Sequence, residues 1–133
     1  MQKPTMSRTT VLVVDDEEPI RRLERRVLED QGYEISEAGD GLEAIALLAT
    51  GTALDLLIAD LDMPRLAGDE MVARIRSVRP DLKVLFVTGH IDRLMDARPL
   101  WEGEAFLDKP FSAAGLREAV SLLLYGTLTK PKP

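Results

Sequence analysis

Short apolar runs alternate with longer amphipathic stretches along this chain, and the alternation predicts strands and helices in turn. The β-branched run at 10–14 suits a buried strand, after which Ile20, Leu23, Val27 and Leu28 recur at helical spacing on one face. Pro19 fits a first helical turn, where a missing N–H matters least, and Gly32 fits the stop, so the first helix is expected over 18–31. Residues 33–37 predict a second strand, and Asp40-Gly41 opens a helix carrying Leu42, Ile45 and Leu48 or Ala49. A third strand at 54–59 leads into a helix with Met71, Val72, Ile75 and Val78, which Pro80 closes. Residues 83–87 predict a fourth strand, Ile91, Leu94 and Met95 a short helix, and 105–107 a fifth strand. Ser112 caps a last helix carrying Leu116, Val120, Leu123 and Leu124.

Five strand and helix pairs in alternation imply a parallel sheet with helices on both faces, because parallel strands need crossover connections. The expected fold is a doubly wound, flavodoxin-like α/β domain with strand order 2-1-3-4-5. It is expected to occupy 10–125, between an N-terminal tail at 1–9 and a Pro- and Lys-rich C-terminal tail at 126–133. In such sheets ligands bind beyond the carboxyl ends of the strands, where strand order reverses. That point lies between strands one and three.

The first, third and fifth runs stop on charge: at Asp15-Asp16, at Asp60 and at Asp108-Lys109-Pro110. A buried run ends where water or a ligand can solvate an ion, because an unpaired carboxylate in a core costs many kcal/mol. Charge pattern and topology therefore select the same crevice. Two carboxylates about 4 Å apart repel by roughly 4 kcal/mol at an effective dielectric near 20, so a cluster of three needs a proton or a cation. Oxygen ligands with no neighbouring His or Cys favour Mg²⁺ or Mn²⁺ over Zn²⁺.

Composition narrows the partners. With 23 acidic against 17 basic residues the formal charge is -6, which argues against a direct nucleic-acid grip. The 133 residues suit one domain, and the absence of Cys excludes a disulfide framework and a thiolate metal site. No run approaches a membrane span and Met1 to Thr5 holds no apolar leader, so the expectation is a cytoplasmic domain without membrane contact.

Each candidate also has a plainer explanation. Adjacent acids such as Asp15-Asp16 are often merely solvated in a loop, Lys109 can serve as a structural partner of Asp60 or Asp15, and Thr88 can bond its own backbone. Pro110 restricts the residue before it, which fixes the Lys109 backbone more tightly than in most loops. An ammonium fixed there can neutralise an anion held near the acids, and the Thr88 hydroxyl can bind a phosphoryl oxygen.

The motifs together resemble the receiver domain of two-component response regulators over about 10–125. The resemblance rests on Asp15-Asp16-Glu17, on Asp60-Leu61-Asp62-Met63-Pro64 with Gly68, on Val87-Thr88-Gly89 and on Lys109-Pro110-Phe111. It implies that Asp60 accepts a phosphoryl group from a sensor histidine kinase or a histidine phosphotransfer protein. It also implies Mg²⁺ on Asp16, on Asp15 largely through water, on Asp60 and on the Asp62 backbone carbonyl. Lys109 would bind the phosphoryl group, and Thr88 with Phe106 would form the switch. Phe106 otherwise reads as an ordinary core residue of the fifth strand. The chain would then be a phosphoacceptor signalling domain that catalyses its own phosphorylation and dephosphorylation, not an enzyme with a separate substrate. Its output would pass to a downstream protein target, with a phosphorylation-dependent homodimer as one mode.

The segment 91–104 fits the family least, because Arg98-Pro99 interrupts its helix within about two turns. Trp101 there is either core packing or a partner anchor. His90 reads as a loop residue or, with Asp62, as a group tuning water access to a phosphoaspartate. Arg21-Arg22 and Arg25-Arg26 form either a solvated helix face or a kinase-docking patch. A mononucleotide binder of the same fold would find its phosphate repelled by Asp15-Asp16-Glu17-Glu18, and a haloacid-dehalogenase-type phosphatase needs a spaced Asp pair after strand one. A receiver from a hybrid histidine kinase and a receiver fold kept only for protein interaction remain the alternatives.

Overall fold

Apolar residues run without interruption over 11–14, 56–59 and 84–87, the three central strands, because both faces of the sheet are covered there. A computed structural model describes residues 8–63, 68–89 and 103–129. Within them β1 (Thr10–Val14), β2 (Glu34–Ala38), β3 (Leu56–Asp60), β4 (Lys83–Thr88) and β5 (Glu104–Asp108) form one parallel sheet, ordered β2-β1-β3-β4-β5. The helices are α1 (Glu18–Glu29), α2 (Gly41–Leu48), α3 (Gly68–Arg76) and α4 (Ala113–Tyr125). This is the expected doubly wound arrangement. The short helix expected at Ile91 lies outside the described residues, as do His90, Pro99 and Trp101.

Alternation along each strand sorts the core into two layers. Leu12, Val14, Leu57, Ala59, Val84 and Phe86 pack with Ala44 and Leu48 of α2 and with Met71, Val72 and Ile75 of α3. Val11, Val13, Leu56, Ile58, Leu85 and Val87 pack with Val27 and Leu28 of α1 and with Leu116 and Val120 of α4. Helix starts are fixed locally: Asp40 Oδ1 accepts from the Glu43 amide at 2.8 Å, and Ser112 Oγ accepts from the Gly115 amide at 2.9 Å. Gly126 ends α4 in the left-handed region at φ 76°, where a side chain would strain the backbone. Among the described residues no helix is long and apolar enough to cross a membrane.

Several boundaries and faces differ from expectation. The second strand is Glu34–Ala38, one residue later than expected, because Val14 pairs with Ala38 and carries the ladder further. The third begins at Leu56 and runs on to Asp60, and the fifth spans Glu104–Asp108. Val78 lies beyond α3 and is 75% exposed, and Leu42 at the start of α2 is 48% exposed.

The clearest difference is on α1, where Leu23 is 41% exposed while Glu24, at 1%, takes a buried place. At about 100° per residue Glu24 projects between Val27 and Leu28, whereas Leu23 falls at the edge of the apolar stripe. The basic patch on this helix is also largely neutralised. Arg21 and Arg25 both pair with Glu37 of β2, at 2.9 and 2.6 Å, and Arg22 pairs with Glu18 at 2.7 Å.

Candidate functional site

All five strands point the same way, so the charged residues that follow β1, β3 and β5 lie at the carboxyl end of the sheet. Backbone bonds continue past the strands and hold each of these residues in place. The Asp15 amide donates to the Ala38 carbonyl at 3.2 Å, the Leu61 amide to the Val87 carbonyl at 3.1 Å, and the Lys109 amide to the Thr88 carbonyl at 3.0 Å. The Lys109-Pro110 peptide is cis.

Carboxylate oxygens of Asp15, Asp16 and Asp60 lie within 4.8 Å of one another. Asp15 and Asp60 are buried at 1% exposure, and Asp16 faces solvent. One oxygen of each buried acid is occupied: Asp15 Oδ1 accepts from the Glu17 amide at 2.8 Å, and Asp60 Oδ1 from the Asp62 amide at 2.9 Å. The other oxygens, Asp15 Oδ2 and Asp60 Oδ2, are buried without a hydrogen bond. Both face the Lys109 ammonium, whose Nζ lies 3.5 Å from the first and 3.2 Å from the second.

Three clustered carboxylates, two of them against one ammonium, leave an excess of negative charge. Burial raises the Asp15 carboxyl to about pH 6; the charge of Asp60 adds to the rise, and the Glu17 amide and Lys109 oppose it. Burial works against the Lys109 ammonium, but Asp15 and Asp60 outweigh it and hold the group above the usual lysine range. The donor set fits a divalent cation: oxygens only, two of them buried without hydrogen-bond partners, with Asp16 open to water at the mouth.

Thr88 ends β4 and is buried at 1% exposure, with its neighbour Val87 in register with Asp60. Its hydroxyl reaches beyond its own backbone, because Oγ1 donates to Asp62 Oδ2 at 2.9 Å. The Gly89 amide donates to the same oxygen at 3.2 Å. Phe106 is in register with Phe86 and is 38% exposed, so it shares a sheet face with Thr88 without being buried as a core phenylalanine.

The structure thus brings together Asp15, Asp16, Asp60, Asp62, Thr88 and Lys109, and sets Phe106 apart on the edge strand. Two features escaped sequence reasoning. One is the Asp62 side chain, expected to contribute only its carbonyl to a metal and, with His90, to steer water. The other is buried Glu24, whose polar identity hid it from an apolar-periodicity count.

A family model described as the response regulator receiver domain matches residues 11–121. The sensor kinase CckA of Brucella abortus is 34% identical over 117 residues, which make up 86% of this chain and 12% of that protein. The response regulator MprA of Mycobacterium avium is 36% identical over 123 residues, or 92% of this chain and 53% of that protein. The chain thus spans about half or less of these curated relatives. Among solved structures, the response regulator protein TrrA of Thermotoga maritima in complex with Mg(2+)-BeF superposes with a TM-score of 0.73 at 33% identity. That match covers 87% of this chain and 99% of the other.

Proposed function

Because this chain belongs to the response regulator receiver domain family, we propose that Asp60 is its phosphoacceptor and that Asp15, Asp16 and the Asp62 carbonyl hold Mg²⁺ beside it. The observation that carries this reading is the Lys109 ammonium set between two buried carboxylate oxygens, 3.5 Å from Asp15 and 3.2 Å from Asp60. The donor is a phosphohistidine of a sensor kinase or of a phosphotransfer protein. Mn²⁺ satisfies the same oxygen ligands. The similarity to a sensor kinase, 34%, is no greater than that to a response regulator, 36%, so a hybrid-kinase receiver is not the better supported reading.

The chain's residues divide the work. An Asp60 oxygen attacks phosphorus as the bond to the imidazole nitrogen breaks, and burial keeps that oxygen free of competing water. Bound Mg²⁺ would supply positive charge for the phosphoryl oxygens, the main requirement of a loose phosphoryl-transfer transition state. Lys109, already within 3.2 Å of Asp60, supplies a second positive charge. The Thr88 hydroxyl then turns toward the new anion, and Phe106 repacks on the same sheet face. Lacking a phenolic hydroxyl, Phe106 signals through packing, to a protein target or to a second copy of the chain. Loss of the phosphoryl group to water, assisted by the same residues, resets the domain.

Incubation with Mg²⁺ and labelled acetyl phosphate is expected to give label that acid and hydroxylamine release, and that chelation of the metal prevents. Acid-stable label, or label indifferent to chelation, overturns the reading.

Lys109→Ala separates the two uses of positive charge. Removing an ammonium that competes with the metal for Asp15 and Asp60 should tighten Mg²⁺ binding at pH 8 by about tenfold, a modest share of the pairwise attraction at these distances. Labelling should nevertheless fall by at least about tenfold, and the phosphorylation-dependent change in the protein should disappear. Calorimetric Mg²⁺ titration and labelling measure the two effects. Unchanged labelling would remove Lys109 from the proposed role.

A further inference from the structure

The Asp62 carboxylate occupies two hydrogen-bond donors that stand beside Asp60. Asp62 lies two residues beyond Asp60 and is anchored there, its own amide donating to Asp60 Oδ1 at 2.9 Å. From this anchor its side chain crosses to the end of the neighbouring strand. There a single oxygen, Oδ2, accepts from the Thr88 hydroxyl at 2.9 Å and from the Gly89 amide at 3.2 Å. An anionic oxygen held by one hydroxyl and one backbone amide has the chemistry of a phosphoryl oxygen in the same place. Asp62 is exposed while Thr88 is 1% exposed, so the carboxylate can turn out to water far more readily than the hydroxyl can.

We infer that the Asp62 carboxylate is an internal stand-in for the phosphoryl group, holding the Thr88 hydroxyl and the Gly89 amide in the resting domain and yielding both when Asp60 is phosphorylated. This rests on the reading of Asp60 as phosphoacceptor. Two costs fall on phosphorylation. The charge-assisted bonds to Asp62 must break before the donors can serve the new group, and the Asp62 charge opposes the arriving anion until it turns away. Asp62 is therefore a positioning residue that sets how readily the domain takes up its phosphoryl group. It acts on the threonine whose movement reports that event, and so it also biases the switch toward rest.

The test compares wild type with Asp62→Ala and Asp62→Asn at saturating Mg²⁺. It uses the affinity for beryllofluoride, the rate of labelling by acetyl phosphate, and the Gly89 amide signal in ¹⁵N-resolved NMR. Asp62→Ala should bind beryllofluoride about tenfold more tightly and label faster by a similar factor, as expected for the loss of a charge-assisted contact. Asp62→Asn, which keeps an acceptor oxygen without the charge, should fall between. Without beryllofluoride, Gly89 should resonate differently in Asp62→Ala and wild type, and with it the two signals should converge. A contact that merely braces the loops would lower the melting temperature without tightening beryllofluoride binding. That outcome, or a Gly89 signal unmoved by Asp62→Ala, overturns the inference while wild-type labelling leaves the phosphoacceptor reading standing. A wild type that takes neither label nor beryllofluoride removes that reading, and this inference with it.

Discussion

Asp60→Asn is expected to abolish acid-labile labelling, to below about one hundredth of wild type, while making the metal-free protein more stable. The two effects share one cause. The carboxamide oxygen can still accept the Asp62 amide bond that Asp60 Oδ1 receives at 2.9 Å, so the local backbone has no reason to move. What disappears is a nucleophilic carboxylate oxygen and one buried negative charge. In the wild type, Lys109 is shared between Asp15 and Asp60, and Asp60 helps push the Asp15 carboxyl up to about pH 6. With Asn in place, Lys109 serves Asp15 alone and the remaining pair is better balanced. The gain should be about 1 kcal/mol, or roughly 3–5 °C in melting temperature for a domain of this size. Saturating Mg²⁺ should reverse the order, because the wild type then gains more binding energy than a variant lacking one carboxylate. Calorimetric melting with chelator and with Mg²⁺ checks both signs. Acid-labile label on the variant equal to wild type would end the assignment of Asp60, and a less stable variant in chelator would show that the cluster is not under charge strain.

The trade between function and stability explains why this edge of the domain was readable from sequence. Val11 to Val14 and Leu56 to Ala59 are continuous because helices cover both sheet faces, and they break at Asp15 and Asp60 because the edge is where ions can be served. No propensity argument favours an acid directly after such a run, so these residues stand out as local contradictions, which is where functional groups are expected. What a residue faces is less legible in the sequence. Leu23 and Glu24 are adjacent, and an apolarity count chooses Leu23, whereas the packing of α1 buries Glu24. The Asp62 contact with Thr88 joins residues 26 apart in sequence across two strand ends, and it exists only once β3 and β4 are in register. Periodicity carries orientation about one element's axis. It does not carry the rotation of that element against its neighbours, nor the reach of a side chain across a loop.

Glu24→Gln should reveal the energetic consequence of burying this acid. Glu24 is 1% exposed and neither carboxyl oxygen has a hydrogen-bond partner, so its ionised form is strongly disfavoured. Burial chiefly raises its carboxyl to about pH 9; Asp15 and Asp60 add to the rise, and Lys109 and Arg21 oppose it. Below the ordinary glutamate range the carboxyl is protonated in both the folded and unfolded chain, and folding carries no ionisation penalty. From about pH 4.5 the unfolded chain releases the proton while the folded domain retains it. Stability then falls as pH rises, by at most about 1.4 kcal/mol per unit, until the folded group ionises near pH 9. Glutamine has the shape of the protonated acid and no proton to lose, so the variant should match wild type near pH 4.5. It should exceed wild type by several kcal/mol, on the order of 3, at pH 8. Urea unfolding at the two pH values measures the difference, and parallel stability curves for the two proteins would show that Glu24 is not held protonated. The same experiment in an Asp60→Asn background provides a second check. Removing one of the negative charges that raise the Glu24 carboxyl should lower the pH at which its penalty levels off, shrinking the advantage of Glu24→Gln once the pH passes about 9. The buried acid on α1 and the phosphoacceptor on β3 would then be shown to share one electrostatic field.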